Sequence, residues 1–405
     1  MPVTTDSYDI IICGGGLVGT SLALSLAHLP LTICLVDPAP KAPPRHKDDR
    51  TFTLAQGSKR ALTHLGVWPL LPRTSFHPIT EIEVSDGTGR FGLTHLRAAE
   101  LGVDALGFVT ENAALLGGLY EALKTTKVTV RTGRFEGVDR RNDLASVTII
   151  GSNGPQRLAC RLLIGADGTN SAVRTACAIP TTLHHYGREA LVANCRVSAP
   201  QPRTAFERFA PEGPIAALPL GDDRYTFVIS RINAKEWQEM TEADCLAQLQ
   251  TAFGDRLGRF LEVGRRLRFP LILQKTLRPA AERVVIVGNA AHTLHPVAGQ
   301  GFNLGLRDVA VLADQIADIC RRHGDFGSKA ALDAYVKTRA RDTANTTRFT
   351  DGLIRIFSQD LGPLVMARNL ALTLVDCLPG VKRALALRTM GLKGPLPKLM
   401  RGQNP

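Results

Sequence analysis

Six residues near the start set the tightest limit on what this chain can fold into. Gly14-Gly15-Gly16-Leu17-Val18-Gly19 follows the apolar run Asp9–Cys13 and precedes a stretch with Leu22, Leu26 and Leu29 on one helical face. A second apolar run, Leu31–Val36, ends on Asp37, 18 residues after Gly19. Strand, glycine turn, amphipathic helix, strand and acidic residue, in that order, predict a βαβ unit of the dinucleotide-binding type. Strands that are apolar at every position belong to a parallel sheet covered on both faces. Gly14 serves the tight turn, Gly16 lets the backbone approach a pyrophosphate, and Gly19 lets helix pack on strand. The backbone through Gly15, Leu17 and Val18 presents the free N–H groups and positive dipole end of a helix start to phosphates. Asp37 is placed to accept hydrogen bonds from ribose hydroxyls. NAD and FAD both fit this unit.

At 405 residues the chain has room for two or three domains of about 150 residues each. Hydrophobic residues at 44% and charged residues at 21% exclude global disorder. The net charge of +12 favours anionic partners, a phosphorylated cofactor or an acidic lipid surface. Aromatics at 5% are poor material for stacking bases, and no basic-aromatic module is present, so nucleic acid is not an expected partner. The eight cysteines form no CxxC, and His292 and His295 stand i, i+3 without a third ligand type, so no metal site is expected. No signal peptide and no apolar run of about 18 residues is visible, which predicts a cytoplasmic protein.

Farther along, the pattern alternates. Short strands between Ile79 and His95 leave for a second sheet, and Glu111–Leu123 is helical. A strand meander then leads into Leu162-Leu163-Ile164. Strands dominate from about Ala190 to Pro270 around one helical insertion, Glu236–Ala252, and the chain is mostly helical beyond Phe302. The expected architecture is α/β: a Rossmann-like FAD-binding domain with parallel sheet, helices and a β-meander, a smaller mixed-sheet substrate domain, and a helical C-terminal extension. Its segments are 1–78, 96–182 and 271–360 for the first domain, 79–95 and 183–270 for the second, and 361–405 for a basic tail.

Two further segments choose between the dinucleotides. Gly165-Ala166-Asp167-Gly168-Thr169-Asn170-Ser171-Ala172-Val173-Arg174 follows a strand and opens a helix. Gly288-Asn289-Ala290-Ala291-His292 runs on to Pro296-Val297-Ala298-Gly299-Gln300-Gly301-Phe302-Asn303. With the first turn, in this order and over nearly the whole chain, they resemble the single-component FAD-dependent aromatic hydroxylases. Arg50-Thr51-Phe52-Thr53-Leu54-Ala55, Leu294–Val309 and Thr350–Phe357 narrow the likeness to the ubiquinone-biosynthesis hydroxylases, in particular the 2-polyprenyl-6-methoxyphenol type.

The resemblance implies FAD as cofactor and NAD(P)H as transient electron donor. It implies an oxygen insertion in which O2 is captured as a C4a-hydroperoxyflavin and taken up by an activated polyprenylated phenol. Gly299 and Gly301 then let the backbone pass against the flavin, and the helix starting near Phe302 aims N–H groups at its pyrimidine edge. Asn289 stands where the family usually has an Asp on a ribitol hydroxyl, and Arg50 where it has an Arg reaching FAD. Asp167 either braces the flavin site or caps the following helix, and Asn112 either caps its helix or touches the flavin. No catalytic residue is identified. Phe206, Phe209, Tyr225 and Phe227 fall where the family builds its substrate wall, and most of them are simply core. Residues Cys377–Pro405 carry six basic and no acidic residues among apolar ones. That suits an anionic surface at the inner membrane, other ubiquinone-biosynthesis proteins, or a helical cap packed on the FAD domain. An FAD enzyme of the same fold with another substrate, or an FAD-bound scaffold, are the alternatives.

Overall fold

A computed structural model describes residues 6–40, 51–87, 92–141, 143–210, 212–294, 299–357 and 362–405. Strand Asp6–Cys13 lies at the centre of the first sheet, parallel to Gly154–Gly165 on one side and Ile33–Asp37 on the other. Thr129–Thr132 extends it beyond Ile33–Asp37, and Val284–Ile286 beyond Gly154–Gly165, again in parallel. The unbroken apolar runs have a direct cause. Ile10, Ile12, Leu35, Leu162 and Ile164 enter the core on one face, while Ile11, Cys13, Cys34, Val36 and Leu163 enter a second core on the other. With both faces buried at their centres, the inner positions of these strands are apolar, and polar residues such as Asp6, Asp9, Arg157 and Asp37 are confined to the less buried positions outside the sheet's centre. Arg134–Arg141 and Leu144–Gly151 form the meander that feeds Gly154–Gly165.

The first helix, Leu17–Leu26, departs from the amphipathic expectation. Every residue in it except Val18 is buried, because helices Asn112–Leu123 and Gln300–Arg321 both pack on it. Its polar side chains bond to nearby carbonyls, Ser21 Oγ to Leu17 O at 2.6 Å within the helix and Thr20 Oγ1 to Gly15 O at 3.0 Å in the turn before it. The expected insertion over Glu236–Ala252 is two helices, Ala234–Glu239 and Glu242–Phe253. The break falls at Thr241, whose hydroxyl accepts the Asp244 N–H and so caps the second helix.

The second sheet holds nine strands among the described residues. Its spine is the long strand Thr181–Val197, paired with Leu267–Thr276 and Arg224–Arg231. Gly213–Pro219 and Thr204–Ala210 follow; Glu81–Asp86 runs parallel to Thr204–Ala210, and Leu93–Arg97 pairs antiparallel with Glu81–Asp86 at the edge. Thr51–Ala55, Gly107–Glu111 and Phe76–Ile79 form a small third sheet. The edge strand Leu93–Arg97 is covered by helix Gly362–Cys377: Thr94 Oγ1 donates to Leu372 O at 2.7 Å and His95 N to Asp376 at 2.9 Å. Helix Pro379–Thr389 follows, and the chain end then returns to bury Leu399 and Met400 in the main core.

Candidate functional site

Two helix starts and two glycine turns converge on one cavity. In the first turn Gly14 has φ +109°, and an added Cβ would collide with Ala166 O, so the backbone conformation and its neighbours demand glycine. Gly16 differs. Its φ is ordinary at −72°, and an added Cβ would meet nothing within 4 Å. Gly16 is also the N-cap of Leu17–Leu26 and offers no side-chain cap, leaving the first N–H groups of the helix open. Asp37 braces this turn, its Oδ2 accepting Gly15 N–H at 2.7 Å and its Oδ1 Ala39 N–H at 2.8 Å. Tyr120 Oη donates to Gly15 O at 2.9 Å; burial, helped by the Asp37 charge, pushes its phenol up to about 12.

The second cradle repeats this arrangement. Gly299 caps helix Gln300–Arg321 at φ +58°, again without a side-chain cap, and a Cβ there would press on Thr53 Cβ at 2.7 Å. An added Cβ on Gly301 meets nothing within 4 Å. Asn303 locks the cradle with four hydrogen bonds. Its Oδ1 accepts from Ala55 N (2.9 Å) and Ser58 Oγ (2.7 Å), and its Nδ2 donates to Thr53 O (2.8 Å) and Gly299 O (2.7 Å). Ser171 caps 172–176 and Thr241 caps 242–253 with their side chains. The starts at Gly16 and Gly299 have no such cap, and both border the cavity.

The cavity measures about 830 Å³. One end is walled by Gly16, Leu17, Val18, Asn289 and Gly299–Asn303. The rest is mostly apolar, with Ile82, Val84 and Leu96 on one side, Leu218 and Val228 on another, and Leu372 and Val375 beneath; Thr94, Asn112, Glu207 and Thr389 are among the polar exceptions. The residues present fit FAD. Gly16 and Gly301 leave room that their own surroundings do not require, and uncapped N–H groups stand where phosphates and an electron-rich ring edge are stabilised.

Residues 7–350 match the family model described as FAD binding domain. The chain belongs to that family. Ubiquinone hydroxylase UbiL of Rhodospirillum rubrum is 35% identical over 409 residues, covering 97% of this chain and 92% of the relative. The 3-demethoxyubiquinol 3-hydroxylase of Escherichia coli is 32% identical, covering 96% of this chain and 100% of the relative. In fold, the flavoprotein matches p-nitrophenol 4-monooxygenase of Pseudomonas putida with a TM-score of 0.81 at 17% identity, over 96% of this chain and 99% of that one.

Not every expected flavin residue faces the cavity with a free side chain. Asp167 is used locally, accepting Ser171 Oγ at 2.5 Å and Val173 N–H at 3.1 Å, which is the helix-capping alternative. The neighbouring Arg174 reaches across to Ala290 O at 2.9 Å and so ties the second motif to the third. Asn112 is buried and lines the cavity, and Asn289 is exposed on its wall. Gly288 is buried with φ +61° against Val18. Phe209 lines the cavity; Phe206 borders it but packs its ring on Tyr225 and Phe253 in the core behind the sheet, where Phe227 also lies. Arg50 and Pro296 lie outside the described residues.

A buried charge network behind the third motif was not anticipated. His292 Nε2 lies 2.6 Å from Asp308 Oδ2, which also accepts Gly288 N–H at 2.9 Å, while Arg339 Nε donates to Asp308 Oδ1 at 2.7 Å. Burial works to raise the Asp308 carboxyl, but the His292 and Arg339 charges and the hydrogen bonds outweigh it and hold the group at about 2. The network pins the Gly288–His292 segment to two helices. Asp308, an acid within the apolar face of a helix, was visible in the sequence, but Arg339 is 31 residues away and its pairing was not.

Proposed function

We propose that this flavoprotein is an NAD(P)H-dependent monooxygenase that hydroxylates the aromatic ring of a polyprenylated phenol in ubiquinone biosynthesis. The observation that carries this reading is the single cavity joining two bare helix N-termini to a long apolar wall. A cofactor that activates O2 at one end and a greasy substrate at the other would share that space. Gly14–Gly19 and Asp37 would hold the ADP part of FAD, and Asn289 with Gly299–Asn303 the flavin part. Bound FAD supplies the two-electron reduction by NAD(P)H and the activation of O2. The chain's own residues orient the ring and exclude water, and the nine-stranded sheet forms the substrate wall.

Helix Gly362–Cys377 extends the reading to the substrate's source. Ala371, Leu372 and Val375 line the cavity, while Met366, Leu370, Leu374 and Leu378 are exposed in a stripe at helical spacing. Exposed Arg383 and Lys393 lie farther along the same end of the chain. Apolar side chains beside basic ones suit an anionic bilayer from which a prenylated phenol would be drawn. Among the described residues no helix is long and apolar enough to cross a membrane.

The test is made in cells. The gene is deleted in a strain without a redundant hydroxylase, and quinones and prenylphenols are read by mass in lipid extracts from aerated cultures. Loss of ubiquinone with build-up of a prenylphenol short of one oxygen, rescued by wild type but not by Gly16→Trp, supports the assignment. Unchanged ubiquinone overturns it.

A further inference from the structure

We propose that Glu207 is the group that accepts the phenolic proton of the substrate. The inference rests on the proposed hydroxylation and supplies the base that the sequence did not reveal. Among the described residues lining the cavity, Glu207 is the one titratable side chain. Its threonine, asparagine and glutamine neighbours on the wall can hydrogen-bond a phenol but cannot take up a proton at neutral pH.

Its position follows from strand alternation. Ala205, Glu207 and Phe209 come up on the cavity side of Thr204–Ala210. Directly across on the flanking strands stand Val84 and Ala216, with Thr94 one strand farther. A carboxylate among such neighbours contributes nothing to packing and is costly when charged. The charged groups of the surrounding elements are engaged elsewhere. His95 lies 2.8 Å from Glu81, Lys382 pairs with Glu100 and Asp376, Asp351 accepts the Tyr186 hydroxyl, and Asp86 acts on Arg208. None of them moves Glu207: burial alone pushes its carboxyl up to about 7. A base poised near the working pH is the one that general-base catalysis favours.

In the proposed step the phenol O–H bond breaks and the proton passes to a carboxylate oxygen of Glu207. The bonding pair stays on the phenolic oxygen and enriches the ortho and para carbons of the ring. The proton returns to that oxygen before the product leaves, so the carboxylate is regenerated.

The experiment uses the FAD-loaded full chain, NAD(P)H, O2 and 2-geranylphenol as probe, with wild type, Glu207→Gln and Glu207→Ala compared. For wild type, kcat falls as pH drops through about 7. Glu207→Gln loses that limb and about 10²-fold or more in kcat, with KM changed less than about threefold. It keeps its FAD spectrum and diverts NAD(P)H oxidation into hydrogen peroxide. Added formate restores turnover to Glu207→Ala, which separates loss of a base from loss of fold. An active wild type whose kcat and pH profile are matched by Glu207→Gln overturns the role of Glu207 and leaves the hydroxylase reading standing. A flavin-loaded wild type that forms no hydroxylated geranylphenol overturns that reading and this proposal together.

Discussion

Two glycines in one turn answer to different masters. Gly14 is fixed by its own backbone, so Gly14→Ala forces a side chain into a left-handed conformation and against Ala166 O. The expected cost is about 1–3 kcal/mol, read as a lower urea midpoint of the apoprotein. Gly16→Ala meets open space at an ordinary φ, so the apoprotein midpoint stays within about 0.5 kcal/mol of wild type while FAD retained through gel filtration drops. Equal destabilisation by both would remove the argument that Gly16 exists for a ligand. Asp308 poses the opposite case, a residue whose importance lies in its partners. Asp308→Asn takes from Arg339 one of its two carboxylate partners, Asp342 being the other, at a cost of about 1.5–3 kcal/mol by thermal or denaturant unfolding. Because the native carboxyl is depressed, its contribution is whole above the unfolded aspartate range near 4. It is lost as pH falls through about 2, so wild type and Asp308→Asn should converge in stability toward that pH.

At the scale of elements, the helix Gly362–Cys377 has one face on the cavity and one on the outside. Leu370 and Leu374 are 61% and 49% exposed, so replacing both by Asp should leave stability within about 1 kcal/mol. The same change should abolish flotation with vesicles of mixed phosphatidylcholine and phosphatidylglycerol. Undiminished flotation would place any lipid contact elsewhere. The first helix teaches a related lesson. Its sequence shows leucines on one face and small or hydroxyl residues on the others, which reads as a half-buried helix. Between two other helices those small residues become the contact surface, and their hydroxyls are satisfied by carbonyls of the helix or of the turn that opens it.

For the whole molecule, the C-terminal residues are part of the structure as well as a carrier of charge. Lys398 N–H donates to Asp314 at 2.9 Å, Lys382 sits between Glu100 and Asp376, and Leu399 and Met400 are buried in the core that also holds the first helix. Deleting 399–405 should therefore lower stability by several kcal/mol, since each buried Leu or Met lost from a core costs about 2–5 kcal/mol. It should also solubilise poorly on expression. An unchanged melting temperature would show that the tail is dispensable to the fold. The notion of a freely presented basic tail is thus narrowed to the exposed Arg383, Lys393 and Arg401, at the same end of the chain as the apolar stripe on helix Gly362–Cys377.

The amino-acid order by itself determined the βαβ unit, the parallel sheet and the positions of the three glycine-bearing motifs. These depend on local spacing, on period and on backbone freedom, all of which a linear chain displays. It could not say that Asn303 would be consumed in holding Thr53, Ala55 and Ser58, or that Asp167 would cap its own helix. Nor could it single out Glu207, one acidic residue among 37 aspartates and glutamates. Ala216 lies across a local hairpin, but only the tertiary structure brought Val84, more than 100 residues away in the chain, and the apolar side of a cavity around that carboxylate. The strand pattern alone says that position 207 faces one side of a sheet. What lies on that side is decided by which strands pair and which helix covers them, and there the desolvation that gives the residue its chemistry arises.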